Sequence, residues 1–330
     1  MDRFRALLIT RDEATKAQSV AEAELTPADL MDGDVDIRVE HSTVNYKDGL
    51  AVTGRLPVVR RFPMIPGVDL AGTVVASRHG GVRPGDKVIV NGWGLGETHY
   101  GAYSQLARVD GRWITPLPAA FTTAEAMAIG TAGYTAMLSI LALEAHGVTP
   151  ESGPVVVTGA SGGVGSMAVA LLSRLGYPVV AVTGRAHEHD YLMSLGAGEI
   201  MARAELEGPA RLLGKERFAG AIDAVGGAVL ANVLSMMTAG GAVAACGNVA
   251  GFELVTSVAP FILRGVALLG IESSHAAPAR RLAAWDRLAR DMDREKLAGL
   301  TTAMPWSGLV NAAHDIVEGK VRGRLVVDIG

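Results

Sequence analysis

Cysteine is almost absent from this chain of 330 residues, which contains only Cys246. One cysteine cannot form a disulfide within the chain, and it cannot build the multi-cysteine zinc sites that stabilise many small folds. Cys246 ends an apolar run that reads as a core strand, so we interpret it as a small buried hydrophobic residue. Among the eight histidines, His187 and His189 lie on a predicted helix without the spacing partners of a metal site. We therefore predict that the protein binds no metal.

Aromatic residues and charge of one sign are also scarce. Aromatic side chains make up 5% of the chain, the formal net charge is -4, and the lysines and arginines are scattered. Nucleic-acid-binding proteins usually show a basic stripe, and those that bind single strands add aromatic side chains for base stacking. The sequence shows neither feature, so we expect no nucleic-acid partner and predict small molecules as ligands.

The sequence pattern also shows no long uninterrupted apolar run. The apolar stretch Ser166–Leu175 contains Arg174, and glycines interrupt other stretches before the roughly 20 residues that span a bilayer. The beginning, Met1–Thr10, places charges around a short apolar run and continues into strand-like sequence, unlike a signal peptide. We expect a protein without a membrane segment, located in the cytoplasm.

Two styles of sequence follow one another along the chain. Up to about Ala120, short strand patterns are separated by turn signals such as Arg83-Pro-Gly-Asp86. From about Thr122, helical segments alternate with short, continuous apolar strands, which is typical of βαβ units around a parallel sheet. The end of the chain, Gly323–Asp328, reads as a strand that returns to the first part. We predict an α/β protein in which a Rossmann doubly wound parallel sheet domain (122–275) is inserted in a mostly β domain (1–121 and 276–330).

A glycine-rich turn joins the first predicted strand and helix of the inserted domain. In Gly159-Ala-Ser-Gly-Gly-Val-Gly165, glycines allow positive φ angles and let a pyrophosphate approach the backbone, while the free amides at the helix start attract phosphates. A tight turn that packs a helix on a sheet without a ligand would give a similar motif. The order of strand, turn, helix and second strand favours dinucleotide binding over that alternative.

The end of the second strand indicates which dinucleotide is bound. NAD-binding domains usually carry an acidic residue there, about 20 residues after the glycine motif, for the ribose hydroxyls. This chain has Thr183-Gly184-Arg185 instead, so no carboxylate repels a 2′-phosphate and a guanidinium is available to pair with it. We predict NADP as the cofactor; the alternative is that Arg185 is only a solvated loop residue.

Several long segments together resemble one family. The chain is similar to the zinc-free, quinone-oxidoreductase-like branch of the medium-chain dehydrogenase/reductase superfamily, and within it to the bacterial acrylyl-CoA reductase group. The segments that carry the resemblance are Val44–Asp48, Phe62–Thr73, Ile129–Met137, Val157–Gly165, Val182–Arg185, Ala244–Gly247 and Pro260–Arg264. The resemblance implies a GroES-like catalytic domain for the mostly β part. Zinc-dependent relatives carry a histidine where this chain has Val68, and we interpret the neighbouring Asp69 as fixing its turn by local hydrogen bonds.

The resemblance also implies a reaction. In the acrylyl-CoA reductase group, NADPH reduces the carbon–carbon double bond of acrylyl-CoA to propionyl-CoA by hydride transfer to the β-carbon. Reduction of quinones or other α,β-unsaturated carbonyls is the alternative among enzymes, and a non-catalytic NADPH-binding structural or sensor protein is the alternative from another class. Tyr46 is the implied catalytic residue near the nicotinamide, since a phenol can donate a proton. Alternatively, Tyr46 only packs against the cofactor while Asn45 and Asp48 hold the loop.

Further contacts carry over from the resemblance by position. Those implied for the cofactor, besides Tyr46, are Ser161, Gly162, Gly163 and Val164 at the pyrophosphate, Thr183, Gly184, Arg185 and Arg203 at the adenosine phosphate, and Asn248, Ile262 and Ser273 near the nicotinamide half. An enoyl-CoA substrate carries phosphates, for which the candidate cations are Arg60, Arg61 and Arg264. The strand Val266–Ile271 is an expected sheet edge, where two copies would pair as a homodimer.

Overall fold

The computed structural model of the protein describes residues 2–330. Over these residues the strands are β1 (Phe4–Arg11), β2 (Gln18–Leu25), β3 (Val35–Thr43), β4 (Asp69–Ser77), β5 (Lys87–Asn91), β6 (Leu106–Val109), β7 (Thr115–Pro116), β8 (Val155–Val157), β9 (Val179–Thr183), β10 (Glu199–Ala202), β11 (Phe218–Asp223), β12 (Met237–Ala245), β13 (Ala267–Gly270), β14 (Thr301–Pro305) and β15 (Arg324–Asp328). The helices are α1 (Tyr46–Thr53), α2 (Thr123–Ala145), α3 (Gly163–Arg174), α4 (His189–Leu195), α5 (Gly227–Ser235), α6 (Ala259–Arg264), α7 (Pro278–Asp291), α8 (Arg294–Gly299) and α9 (Leu309–Val317).

The chain divides into two compact units. The first contains the residues up to Thr131 together with Ser274–Leu282 and Thr301–Gly330, and the second contains Ala132–Ser273 and Ala283–Leu300. The sequence-based division kept 276–330 together, whereas Ala283–Leu300 packs within the second unit. The predicted boundaries at 121 and 275 therefore stay a prediction.

The first unit is built on antiparallel strands. β1 and β2 form a two-stranded ribbon, and a seven-stranded sheet has the order β14-β15-β3-β4-β5-β7, with β6 also paired to β3. The last strand, β15, pairs antiparallel with β3 at the register Val326 to Thr43, so the end of the chain completes this sheet as the sequence predicts. Alternate side chains of β3, such as Val35, Ile37 and Val39, are fully buried, which is the pattern of a strand with one face in the core.

The second unit contains a six-stranded sheet whose strand pairs are all parallel. Its order, β10-β9-β8-β11-β12-β13, corresponds to 3-2-1-4-5-6 in order of appearance, the arrangement of a Rossmann fold. Every residue of β8 and β9 is buried, because helices cover both faces of such a sheet and its strands are apolar throughout. The predicted α/β fold, with a Rossmann sheet and a mostly β unit, is confirmed.

Helix α2 departs from the sequence-based expectation. By length and composition alone, this helix is long and apolar enough to cross a membrane. The expectation that no apolar stretch of the chain reaches membrane-spanning length is therefore wrong. Most of its apolar stretch is buried inside the protein, as in the core helix of a soluble protein. Gly130 also interrupts the helix with φ 49° and ψ -160°, a conformation that side-chain-bearing residues rarely adopt.

Candidate functional site

The glycine-rich turn lies where β8 passes into α3, at the carboxyl edge of the parallel sheet. Gly159 has a φ of +59°, and a Cβ on Gly165 would lie 2.3 Å from the carbonyl oxygen of Gly159, so the helix packs against the turn at a distance only glycine permits. α3 begins after Gly162, and no side chain caps its first amides. Uncapped amides at a helix start form a site for a phosphate anion. The residues present therefore fit the pyrophosphate of a dinucleotide.

Three predicted cofactor residues come together at the end of β9. The Arg185 guanidinium donates from Nε and Nη2 to Ser161 Oγ, at 3.2 and 2.8 Å. Ser161 Oγ lies 3.3 Å from Thr183 Oγ1, which also accepts the Arg185 amide at 3.1 Å. Arg185 is thus held beside the glycine-rich turn, and its alternative interpretation as a merely solvated residue does not fit these contacts. A cation at this point suits the 2′-phosphate of NADP.

Two acidic residues flank this group of contacts. The buried carboxylate of Glu188 lies 3.7 Å from Arg185 Nη1, and the exposed Arg203 forms an ion pair with Glu207 at 2.6 Å. A Cβ on Gly184 would lie 2.8 Å from Arg203 Cζ, so Arg203 lies directly against the strand end where the sequence places it. Arg185 and Arg203 are thus both next to Gly184, and their role at the adenosine phosphate stays a prediction.

The residues predicted for the nicotinamide half lie at the other side of the same sheet. Asn248 follows β12, and its Cα is 3.3 Å from the position of a Cβ on Gly226, so it adjoins the turn before α5. Ser273 follows β13, and Ile262 lies on α6 with 72% of its surface exposed. The cofactor role of Asn248, Ile262 and Ser273 stays a prediction.

Tyr46 occupies the first position of α1 in the first unit, where it is half-buried. The carboxylate of Asp48 accepts the amide of Asn45 at 2.8 Å and the amide of Val68 at 2.9 Å. The start of α1 is therefore fixed from both sides of Tyr46. The predicted role of Asn45 and Asp48 in holding the loop is confirmed, whether or not Tyr46 also transfers a proton.

Asp69 is the centre of a buried hydrogen-bond network. Its carboxylate accepts bonds from Asn45 Nδ2 at 2.9 Å, Asn91 Nδ2 at 2.8 Å, and the Thr131 amide and hydroxyl at 2.7 and 2.5 Å. These partners are 22 to 62 residues away in the sequence. The interpretation of Asp69 as a residue with local hydrogen bonds is therefore wrong: its carboxylate joins β4, β5, the start of α1 and the break in α2.

Arg324 provides the positive charge of this network, which sequence reasoning missed. Its buried guanidinium donates to Asn45 Oδ1 at 3.1 Å, Thr43 Oγ1 at 2.8 Å and the Ala128 carbonyl at 2.8 Å. A Cβ on Gly130 would lie 2.6 Å from Arg324 Nη2, which explains the glycine at the break in α2. A lone arginine in a C-terminal strand gives no sequence signal for such a contact, because its partners lie 196 to 281 residues away.

Burial changes the acid–base properties of this network. Burial above all, together with the nearby charge of Asp69, outweighs the hydrogen bonds from Asn45 and Val68 and raises the pKa of Asp48 to about 7. Burial also lowers the pKa of Arg324, against the attraction of Asp69 and Asp48. The first unit therefore contains a carboxyl that exchanges its proton near neutral pH.

We expect Asp48 to make the stability of the first unit depend on pH. Between about pH 4 and pH 7 the folded protein holds a proton on Asp48 that the unfolded chain releases, so the free energy of unfolding falls as the pH rises through this window and levels off above it. The slope is at most about 1.4 kcal/mol per pH unit for one such group. Urea unfolding at several pH values measures this slope.

The variant Asp48→Asn should remove that slope. Asp29→Asn is a matched control, because Asp29 also accepts the amide of the residue three positions earlier but is exposed, and its hydrogen bonds to Thr26 lower its pKa. The control should keep the wild-type slope between pH 4 and pH 7. An unchanged slope in Asp48→Asn would show that another group takes up the proton.

The structure also bears on the expected role of Arg264 and on the search for a metal site. Arg264 donates to the carbonyls of Ser235, Met237 and Gly214 and lies 3.4 Å from Glu216, so the expectation that it binds a substrate phosphate is wrong. For metals, no group of three or more His, Cys, Asp or Glu side chains is placed to hold an ion within residues 2–330. The predicted absence of zinc stays a prediction.

Comparison with known proteins identifies the family. A model described as "Alcohol dehydrogenase GroES-like domain" matches residues 31–119, and one described as "Zinc-binding dehydrogenase" matches residues 163–290. Acrylyl-CoA reductase AcuI of Ruegeria pomeroyi is 50% identical over 327 residues, which cover 99% of both chains. The chain belongs to the medium-chain dehydrogenase/reductase family. The quinone oxidoreductase-like relatives expected from the sequence are also found.

Solved structures of this family agree with the fold and differ in the dinucleotide bound. The yhdH oxidoreductase from Salmonella enterica in complex with NADP has a TM-score of 0.97 at 48% identity, covering 99% of this chain and 100% of that one. Bacillus subtilis yhfP with NAD bound has a TM-score of 0.95 at 40% identity, with coverage of 99% and 100%. Family membership therefore supports a dinucleotide site, and the choice between NADP and NAD depends on the residues at the end of β9.

Proposed function

We propose that this protein catalyses the NADPH-dependent reduction of acrylyl-CoA to propionyl-CoA. The observation that carries the proposal is the dinucleotide site of the second unit, with uncapped amides at the start of α3 and the Arg185 guanidinium held at the end of β9. Whole-chain similarity to an acrylyl-CoA reductase supplies the substrate class. The site residues predicted from the sequence are proposed as its cofactor contacts.

The chemistry of the proposal assigns a role to Tyr46. When bound, NADPH supplies a hydride for the β-carbon of the thioester. Negative charge then develops on the thioester oxygen, and the α-carbon takes up a proton. We assign that proton to the Tyr46 hydroxyl, since Asn45 and Asp48 fix the helix start on which Tyr46 lies. Val68 stands where zinc-dependent relatives carry a histidine and the chain has a single cysteine, so we propose a reaction without zinc.

An assay of NADPH oxidation tests the proposal against its alternatives. Loss of the nicotinamide absorbance with acrylyl-CoA, with propionyl-CoA as product and no effect of a metal chelator, is the expected result. Oxidation with a benzoquinone or a free enone but not with acrylyl-CoA would instead support the alternative enzyme activity. Tight NADPH binding without oxidation by any of these acceptors would indicate a non-catalytic nucleotide-binding protein.

Arg185→Ala should change the cofactor preference. Loss of charge-assisted hydrogen bonds to a 2′-phosphate should lower kcat/KM for NADPH by about 10- to 100-fold, while kcat/KM for NADH, which lacks that phosphate, stays within about threefold. Arg174→Ala on the exposed side of α3 is the control, with no expected change in either value. A ratio of the two kcat/KM values equal to that of the wild type would contradict the assignment of NADP selectivity to Arg185.

We further propose a cytoplasmic homodimer. β13 is the last strand of the Rossmann sheet and pairs only with β12 in the described chain, and the neighbouring apolar residues Ile262, Leu263 and Leu268 are exposed. An open strand edge beside exposed apolar side chains is a surface that a second copy can cover through a two-fold axis. The cytoplasmic location is proposed because α2, the helix long and apolar enough to cross a membrane, has most of its apolar stretch buried inside the protein.

Sedimentation equilibrium tests the dimer. The wild type should have twice the mass of one chain, and Leu268→Lys should shift it towards the monomer because a charge would be buried between the two edges. Leu56→Lys, which changes an exposed leucine of the first unit, is the control and should remain dimeric. A monomeric wild type at micromolar concentration would contradict the proposal.

A further inference from the structure

Four basic side chains lie on or beside one short segment of the first unit, residues 59–64. Val59 is buried and anchors the segment, and the Arg60 amide donates to the Glu97 carbonyl at 2.8 Å. The side chains of Arg60 and Arg61, which follow Val59 directly, are both exposed. The backbone is therefore fixed while the two guanidinium groups reach into solvent.

Neighbouring elements add two more cations to the same place. Ile9 in β1 exchanges backbone hydrogen bonds with Met64 at 2.7 and 2.9 Å, and the Arg11 guanidinium lies 5.6 Å from the centre of the Phe62 ring. On the other side, Lys47 Nζ donates to the Glu97 carboxylate at 2.8 Å. We call Arg11, Lys47, Arg60 and Arg61 the basic patch.

The patch carries more positive charge than its surroundings neutralise. Over residues 2–330, Arg11, Arg60 and Arg61 have no carboxylate oxygen within 4.0 Å, and only Lys47 is paired, with Glu97. A local excess of cations in a chain of net charge -4 favours a polyanionic ligand.

The position of the patch relates it to Tyr46. Lys47 follows Tyr46 directly in α1, and the Glu97 residue that pairs with Lys47 also accepts the Arg60 amide. The patch therefore lies beside the start of α1, the helix that carries Tyr46. The cations proposed for NADP, Arg185 and Arg203, lie in the second unit, so the dinucleotide phosphates already have partners of their own.

We propose that the basic patch binds the phosphate groups of the coenzyme A part of the substrate. The inference builds on the proposed reduction of acrylyl-CoA. The acrylyl group is small and uncharged, so most of the charge by which a protein can recognise this substrate lies in its phosphates. Exposed arginines suit that ligand, because a guanidinium forms two parallel hydrogen bonds with a phosphate.

Charge reversal with a matched control tests this site. In Arg60→Glu/Arg61→Glu, KM for acrylyl-CoA should rise about tenfold, which corresponds to the loss of two exposed ion pairs, with kcat unchanged. KM for acrylyl-pantetheine, which lacks the nucleotide phosphates, and KM for NADPH should not change. Arg83→Glu/Arg211→Glu alters the net charge equally at exposed arginines elsewhere and should keep all wild-type values.

Three results would overturn the inference. They are an unchanged KM for acrylyl-CoA, an equal rise for acrylyl-CoA and acrylyl-pantetheine, or an equal rise in the control variant. Thermal unfolding confirms that the variants are folded, and the single variants Arg60→Ala and Arg61→Ala repeat the test should the double variant be unstable.

Coenzyme A binding separates this inference from the proposed function. Calorimetric titration of coenzyme A into the NADP-loaded protein should show an affinity that falls with added salt, and a weaker, less salt-dependent affinity in Arg60→Glu/Arg61→Glu. If the wild type binds coenzyme A in this way but does not reduce acrylyl-CoA, the proposed reaction fails and the site stands. If it reduces acrylyl-CoA and the patch variant matches the wild type, only the site fails.

Discussion

Replacing Arg324 with methionine should lower the free energy of unfolding of the first unit by about 3–5 kcal/mol, the usual effect of removing one partner from a buried charge network. The substitution keeps most of the side-chain volume but removes the donors to Thr43, Asn45 and the Ala128 carbonyl. It also leaves the Asp69 carboxylate buried without a nearby cation. Urea unfolding monitored by tryptophan fluorescence measures the change.

Two further variants separate charge from packing. Arg3→Met removes an exposed ion pair with Glu24 and should cost less than about 1 kcal/mol. Combining Arg324→Met with Asp69→Asn removes the uncompensated negative charge and should restore part of the lost stability. If the two side chains act independently, the double variant will be less stable than Arg324→Met by the same free energy of unfolding that Asp69→Asn alone removes from the wild type.

Replacing Tyr46 with phenylalanine should lower kcat for acrylyl-CoA about 100-fold, the lower range for the loss of a positioned proton donor. The ring is retained, so KM for NADPH should stay close to the wild-type value. Tyr100→Phe removes another half-buried phenol of the first unit and is the control, with no expected change. Steady-state kinetics with saturating NADPH provide both constants.

The outcome of Tyr46→Phe also decides between the two interpretations of this residue. If kcat stays within about threefold of the wild type, the phenol only packs near the cofactor and the proton comes from another group or from water. A loss of activity accompanied by a lower melting temperature would point to a disturbed α1 instead. Asp48→Asn, which weakens the same helix start, serves as the reference for the effect of a disturbed α1 on activity and melting temperature.

The Rossmann sheet could be predicted from the sequence because its signals are local. The strands from β8 to β13 lie between glycine turns and helices, so each can be found from its own residues. Arg185 could likewise be placed relative to the glycine-rich turn, since the distance between them is set by one βαβ unit.

The Asp69 and Arg324 network could not be predicted, because its hydrogen bonds join residues far apart in the chain. No periodicity relates Thr43 to Arg324 or Asp69 to Thr131, and the contacts arise only when β3, β4 and β15 are paired. The full length of helix α2 was missed for another reason: the helix is apolar on all sides and broken at Gly130, so it shows no amphipathic pattern.

The late position of Arg324 has a consequence for how the chain folds during synthesis. Asp48 and Asp69 leave the ribosome more than 250 residues before the guanidinium that neutralises their network, as their numbers show. The sheet strands from β8 to β13 are all synthesised in between and have their parallel partners among themselves. Since domains generally fold as units while the chain emerges, the Rossmann unit can form its sheet first, and the buried charges of the first unit are enclosed only after Arg324 has emerged.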